Sequence, residues 1–422
     1  MWEMLEIIKK LNSAHEKTHP FSLGFFEVNL KNLEENIAKI KIKNSENSEN
    51  SKSNSKIKYL LPVKGGGYGC GMKEISYFVQ EKKCVDYLGV AHIQEAFELR
   101  EHGITLPILV LGQTSYSEKF LDFIANNNIE IAVSEKNTIN MIEKHYTQKR
   151  DTTKISVHLK IDLGMGRCGI LEENIVDLFQ RILDSNCVNI KGVMMHFPVS
   201  DSDISEKENF EYTEIQIQKF AKMKEKIKNI CTQQNKMNIF NNIIFHAANS
   251  GASTEHSTAT FDMIRPGIAS YGYPEPGNGA EKLQLKPVAK VYSQFSLIKK
   301  FPEKFSIGYG RTYYTKNKNE KIGMLPIGYA DGLNRLLSNN FSIFSENGEE
   351  FSCSGRISMD QSAYTIRNTQ NLSDQNIKKQ KVYILGTNQN ARAIAKKIGT
   401  ISYEVLLSLG TSDRLKKVYI WD

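Results

Sequence analysis

The stretch YLLPVKGGGYGCG, residues 59–71, decides the fold. Its apolar run, residues 59–63, stops abruptly at Lys64, and Gly65, Gly66, Gly67, Tyr68, Gly69, Cys70 and Gly71 follow. An unbroken apolar run predicts a strand buried on both faces, as in a parallel sheet. A lysine at the carboxyl end of such a strand, opening onto a glycine-rich turn, stands at the mouth of an α/β barrel. A partly desolvated amine there has a lowered pKa and becomes a nucleophile able to form a Schiff base with a carbonyl. Alone, the stretch also reads as an exposed lysine in a flexible loop, so the rest of the chain has to decide.

From Lys64 to about residue 285, short apolar runs alternate with helical patterns. The runs are YLGVA, PILVLG, IEIAVS, ISVHLKIDLG, IKGVMMHF, IIFHAANS and FDMIRPGIASYG. Between them lie IQEAFELREHG, EKFLDFIANN, NTINMIEKHY, ENIVDLFQRILDS and a long charged helix through residues 209–230. With the Lys64 strand this makes eight βα units and predicts a (β/α)8 TIM-like barrel within an α/β chain. A doubly wound open sheet is the alternative, although no GxGxxG follows the first strand.

Ahead of the barrel, the first twenty residues carry apolar positions at helical spacing and stop at Pro20. They predict a short helical extension over residues 1–22. Residues 25–30 read as a strand and LKNLEENIAKIK as a helix. The segment 44–56 is a Ser/Asn/Lys/Glu low-complexity insertion without the apolar residues to join a core. After about Pro287 the runs AKVYSQFSLIKK, EKIGMLPIG, FSIFS, EEFSCSGRISMD and QKVYILG are rich in β-formers, with one clear helix, NARAIAKKIG. The expected organisation is an extension at 1–22, a barrel at 23–286 and a mostly-β domain at 287–422.

The 422 residues are 40% apolar and 24% charged, an ordinary globular balance. The net charge of +8 comes from scattered lysines and not from one basic block, which argues against nucleic acid as a partner. Six cysteines (Cys70, Cys84, Cys168, Cys187, Cys231, Cys353) show no CxxC spacing and read as reduced thiols. No run of about 18 apolar residues and no signal-peptide profile is present, so a cytoplasmic protein without membrane attachment is expected. No metal is expected.

Polar groups gather where the barrel strands end. One strand ends with Lys160 and Asp162, and the following GMGRCG brings Arg167 onto the loop. Another ends in His196, the next in His246, Asn249, Ser250 and Gly251, and the last in Arg265, Pro266, Gly267 and Ile268. Each has a bland explanation alone: a surface charge, a satisfied core histidine, a turn. Together, on the face where such barrels place their chemistry, they point to a site. The Ser250 hydroxyl and the N–H groups of Gly267 and Ile268 could cradle a phosphate.

At these residues the chain resembles the alanine racemase family, barrel-plus-β-domain enzymes that use pyridoxal 5'-phosphate (PLP). The matching stretches are KGGGYGCG, KIDLGMGRCGI, MMHF, HAANSGA, IRPGIASYGY, IGYGRTY, LPIGYADGLNR, GRISMDQ and TISYE, in order from about residue 25 to 418. The resemblance implies that Lys64 forms the Schiff base with PLP and acts as one acid/base catalyst. It implies that Tyr309, from the partner subunit of a homodimer with shared active sites, is the second, on the opposite face. Two bases flanking a planar carbanion move a proton across it more directly than one. The resemblance also implies that His196 is hydrogen-bonded between Tyr309 and Arg265, and that Arg265 faces the pyridine nitrogen. Phosphate binding falls to Tyr68, Ser250, Gly267, Ile268 and Tyr403; Asn249 is a further cofactor-binding residue and His246 a supporting one. Arg167 and the backbone N–H of Met359 would hold the substrate carboxylate. Lys160 matches a lysine often carbamylated in the family, and Asp360 and Tyr313 are expected near the entrance.

Two departures stand out. The family commonly has alanine, a polar residue and alanine where this chain has Gly65, Gly66 and Gly67, which predicts a looser lysine loop. Cys70 replaces a frequent histidine. The expected reaction is interconversion of L- and D-alanine, supplying D-alanine for peptidoglycan. A broad-specificity or serine racemase would use the same catalytic set. A PLP decarboxylase of this fold would need a cysteine-centred catalytic loop, whereas Cys353, the only β-domain cysteine, precedes GRISMD. A single-barrel PLP-binding protein would end after the barrel.

Overall fold

The computed structural model describes residues 2–46, 57–113, 117–149, 153–202, 205–275, 277–367 and 373–421. Of the Ser/Asn insertion, residues 44–46 close the helix Leu30–Glu46, and residues 47–56 lie outside the described residues. The chain forms two compact units: Glu34–Lys64 with Ser76–Leu285, and Met1–Leu33 with Gly65–Ile75 and Lys286–Asp422.

In the first unit eight parallel strands run in the order Met263–Ile264, Lys58–Pro62, Tyr87–Val90, Ile108–Val110, Ile129–Val133, Ile155–Asp162, Val188–Met194, Ile244–His246. The end strands meet through Asp262 N–H donating to Phe245 O and Arg265 N–H to Ala248 O, both at 2.8 Å. These bonds close the barrel and exclude the open sheet. Leu60, Tyr87, Leu109, Ala132, Met194, Ile244 and Met263 pack into one interior cluster. Helices cover the strands through apolar stripes: Ile175–Leu183 buries Ile175, Leu178, Phe179 and Ile182, the i, i+3, i+4, i+7 face. Because every strand points the same way, their carboxyl ends share one mouth.

In the second unit nine strands form a mainly antiparallel sheet in the order Leu297–Phe301, Glu320–Leu325, Ser362–Ile366, Glu350–Cys353, Ser342–Ser345, Val382–Leu385, Ala289–Ser293, Gly24–Asn29, Leu415–Ile420. The strand Gly24–Asn29, grouped with the barrel from sequence, is thus a strand of this sheet. It pairs antiparallel with Ala289–Ser293 and parallel with Leu415–Ile420. Local pattern marks a strand but not its partner, and both partners here lie more than 260 positions away.

The helix Trp2–Thr18 is tied to the same sheet. Asn12 donates to Tyr419 O at 2.9 Å and accepts the Tyr419 N–H at 2.8 Å. Two helices beyond the expected one are present, Asp374–Lys379 and Ser402–Gly410. The second buries Ser402, Val405, Leu406 and Leu409 at helical spacing, a signal masked by its dense apolar run. Among the described residues no helix is long and apolar enough to cross a membrane.

Candidate active site

Lys64 ends the Lys58–Pro62 segment and begins a short helical turn, Lys64–Tyr68. The turn is left-handed: φ is 62° at Gly65, 62° at Gly66, 66° at Gly67 and 54° at Tyr68. Residues with a Cβ resist that region, which is why glycines fill it. Gly69 N–H to Gly65 O at 3.1 Å, Cys70 N–H to Gly67 O at 2.9 Å and Gly71 N–H to Gly66 O at 2.7 Å close it. The three glycines thus occupy left-handed positions of a hydrogen-bonded turn, where glycine removes strain.

Lys64 is exposed along its length; the protein packed about its amine, then the Arg167 charge, lower that amine from its ordinary value, while Glu95 acts in the opposite direction. Arg167 sits on a loop folded by Asp162. The Oδ1 of Asp162 accepts the N–H of Gly164, Met165 and Gly166 at 2.9, 2.8 and 3.1 Å, and its Oδ2 accepts that of Arg167 at 3.1 Å. Burial works against this carboxylate, but the four N–H donors prevail and hold it below its usual range. Lys160, two residues earlier and facing the same region, is buried and donates to Leu111 O at 2.7 Å, with Cys168 Sγ at 3.8 Å. Its amine is lowered first by burial; Cys168 opposes, and Arg167 and Arg265 add to the lowering.

His196, just beyond the strand Val188–Met194, falls well below the ordinary imidazole value through burial and then the charges of Arg265, Arg167, Lys64 and Lys160. Burial and these four basic neighbours all disfavour its protonated form. Arg265 is 4% exposed. It donates to His246 Nδ1 at 2.9 Å, Met195 O at 2.6 Å and Ala247 O at 3.0 Å. The histidine partner expected for Arg265 was His196; the hydrogen bond is made to His246 instead. Burial lowers the guanidinium to about 9, which leaves it charged at neutral pH.

Ser250 opens the helix Ser250–Glu255, capped by Asn249, whose Oδ1 accepts the Ala252 N–H at 3.1 Å. Asn249 also accepts from Ser200 Oγ at 2.6 Å and donates to Phe197 O at 3.2 Å, so its side chain places Ser250. Ser250 Oγ accepts the Ala269 N–H at 3.3 Å, which leaves its own hydrogen to donate. Next to it, Gly267 and Ile268 are buried residues, and their N–H groups have no acceptor among the described residues. Adjacent orphaned donors are rare in a folded interior and mark a place for an anion.

In the other unit, the rings of Tyr68 and Tyr403 lie 5.9 Å apart. The turn carrying Tyr68 packs backbone to backbone on the helix of Tyr403: a Cβ on Gly69 would fall 2.5 Å from Leu406 O. Tyr309 projects from the one-turn segment Tyr309–Arg311 and is 70% exposed. Met359 is 53% exposed, and its carbonyl accepts the Ala330 N–H at 3.0 Å. Arg414 fixes that loop by donating to Asp360 Oδ1 at 2.7 Å and pairing with Asp331 at 3.1 Å. Tyr313, expected near an entrance, directs its hydroxyl into the sheet, to Glu320 and to Thr365 Oγ1. Tyr329, overlooked in the sequence although GYADG was singled out, is exposed and donates its N–H to Ser358 O at 3.1 Å, beside Met359.

A closed barrel that gathers a lysine, two arginines and a second lysine where its strands end has the layout of an α/β-barrel enzyme. The chain matches the family description "Alanine racemase, N-terminal domain" over residues 28–275 and "Alanine racemase, C-terminal domain" over residues 288–419. It belongs to the alanine racemase family and is an amino-acid isomerase. It is 36% identical over 401 residues to the alanine racemase of Treponema denticola, covering 93% of this chain and 97% of that protein. It is 35% identical over 381 residues to alanine racemase 2 of Caldanaerobacter subterraneus subsp. tengcongensis, covering 87% and 89%. The solved alanine racemase of Clostridium difficile 630 aligns with TM-score 0.80 at 32% identity, over 95% of this chain and 96% of that one.

Proposed function

We propose that this protein interconverts L- and D-alanine with PLP, as a cytoplasmic homodimer supplying D-alanine for peptidoglycan. The observation that carries the reading is the gathering of Lys64, Arg167, Lys160, His196 and Arg265 where the barrel strands end. The orphaned N–H groups of Gly267 and Ile268 beside the Ser250 hydroxyl suit a phosphate, so the donor set fits the cofactor. Tyr68 and Tyr403 complete the phosphate ligands in this reading.

PLP, when bound, would supply the electron sink that makes the substrate Cα–H acidic. Lys64 holds the cofactor and moves the proton on one face; Tyr309 of the partner subunit serves the other face. Arg265, a cation that donates without surrendering its proton, would hold the cofactor at its pyridine nitrogen and leave that nitrogen without an added proton. That limits electron withdrawal and favours proton return at Cα over side reactions. His196, its protonated form disfavoured by burial and its basic neighbours, can accept a hydrogen bond toward Tyr309. Arg167 holds the substrate carboxylate through its bidentate guanidinium, joined by the Met359 N–H of the partner subunit. The lowered Lys160 amine suits carbamylation, which would turn it into an anion oriented toward Arg167.

The test is a chiral assay of alanine with added PLP on the wild type, Lys64→Ala and Tyr309→Phe. The expected result is D-alanine from the wild type, loss of cofactor absorbance near roughly 420 nm in Lys64→Ala, and retained absorbance with most activity lost in Tyr309→Phe. A wild type that binds PLP and leaves alanine unchanged while racemising serine or another amino acid would move the reading to a different substrate.

A further inference from the structure

Four buried side chains form an unbroken hydrogen-bonded line through the apolar interior of the barrel. Glu130, on Ile129–Val133, takes His158 Nε2 at 2.6 Å, and His158 Nδ1 meets His246 Nε2 at 2.8 Å. His246 Nδ1 accepts from Arg265 at 2.9 Å, and Tyr87 donates to the other Glu130 oxygen at 3.3 Å. None of the four is more than 4% exposed. Tyr87, which bonds Glu130, belongs to the apolar interior cluster with Leu60, Leu109, Ala132 and Ile244, so a polar line beside it carries a desolvation cost that plain core packing would avoid.

The backbone is shaped to let this line pass. In the sheet, Val188–Met194 lies between the strand of His158 and the strand of His246. His158 pairs in register with Gly192 on that strand. A Cβ on Gly192 would fall 2.2 Å from His158 Nδ1 and 2.5 Å from its Cε1. Only a missing side chain leaves the imidazole a route to His246.

The donors fix every proton. Arginine can only donate, so His246 Nδ1 must carry a lone pair and Nε2 the hydrogen. His158 then accepts on Nδ1 and carries its hydrogen on Nε2, aimed at the Glu130 carboxylate. A proton added to either imidazole would face another donor. The line therefore has a cation at one end, an anion at the other and two neutral histidines of defined tautomer between. The other acceptors of Arg265, Met195 O and Ala247 O, are uncharged carbonyls.

We propose that Glu130 is a positioning residue for Arg265, acting through His158 and His246: it is the buried counter-charge that sets both tautomers and so aims and keeps the guanidinium. The link to turnover rests on the role given to Arg265 above; the tautomer pattern does not.

The experiment is 15N NMR of the full-length, cofactor-free chain with ring-labelled histidine, paired with kinetics of the PLP-loaded enzyme. In the wild type both His158 and His246 should carry hydrogen on Nε2 alone at pH 7. Glu130→Met should shift the ring signals of His246, a residue it does not touch, and lower kcat by about 10–100-fold while KM changes little, as loss of a partner behind a catalytic group does. Glu130→Gln, which retains an acceptor oxygen, should restore the His246 signals. Gly192→Ala breaks the same line from the other side and should reproduce the His246 shift, which covers the case of a Glu130→Met chain that does not fold. A His246 with hydrogen on Nδ1, a doubly protonated His246 at pH 7, or Glu130→Met with wild-type signals and kcat would overturn the proposal. A purely structural Glu130 would lower the melting temperature and leave His246 unmoved. Failure of the wild type to racemise alanine would sink the functional reading and leave the NMR result to decide this one.

Discussion

The Asp162 carboxylate accepts the backbone N–H of Arg167 at 3.1 Å, so the side chain that places the guanidinium lies five positions before it. Asp162 also takes three further N–H groups of the loop, and its removal leaves all four without an acceptor. Asp162→Ala should lower stability by about 1–3 kcal/mol, read from urea unfolding. In the active enzyme it should raise KM for alanine more than it lowers kcat, because the carboxylate-binding group loses its position. Asp162→Asn, which keeps one acceptor oxygen, should fall between.

The same group gives a pH dependence of known sign. Its folded-state pKa lies below the ordinary carboxylate value, so its contribution is present above about pH 3.9 and is lost as pH falls toward the lower folded value. Acid titration of unfolding should show the difference between wild type and Asp162→Asn shrinking across that window. A difference that stays constant to pH 2 would show that the backbone bonds do not depend on the charge.

Gly66 has φ 62° and nothing within 4 Å of where a Cβ would stand. Gly66→Ala therefore isolates the strain of the left-handed region, about 1 kcal/mol. Gly67→Ala adds a contact of 3.2 Å with Met72 N and should cost more. Thermal unfolding of the two variants orders them; equal midpoints would mean that the turn relaxes out of its left-handed form.

Lys64 should acylate faster than other exposed lysines near pH 8, because the protein packed about its amine and then the Arg167 charge favour its neutral form. Arg167→Ala removes one of those two causes, so the Lys64 pKa should rise and its labelling slow. Mass spectrometry of the cofactor-free chain over a pH series measures the shift directly.

The barrel was legible because each of its strands is a short apolar run bounded by helical periodicity, as at Tyr59 to Val63, and buried parallel strands leave no other pattern. That Lys64, Arg167, Ser250, Arg265, Gly267 and Ile268 follow the carboxyl ends of barrel strands was legible, since those strands must share one mouth; the roles proposed for them are not read from that placement. The partner of the strand Gly24–Asn29 was not, because pairing joins residues hundreds of positions apart. The hydroxyl partner of Tyr313 was not legible either, because only the packed sheet brings Glu320 to it.

The amino-acid sequence by itself determined the (β/α)8 class, the β-rich second half and which lysine, arginine, histidine and serine residues stand where the barrel strands end. These follow from periodicity and from chemistry carried within a few residues. Tertiary structure alone decided that Arg265 bonds His246 and not His196, that Asn249 caps Ser250, and that Gly192 opens a path from His158 to His246. Those relations are set by which side chains meet across the barrel interior. There, close packing and the demand that every buried donor find an acceptor select one arrangement from many that the letters allow.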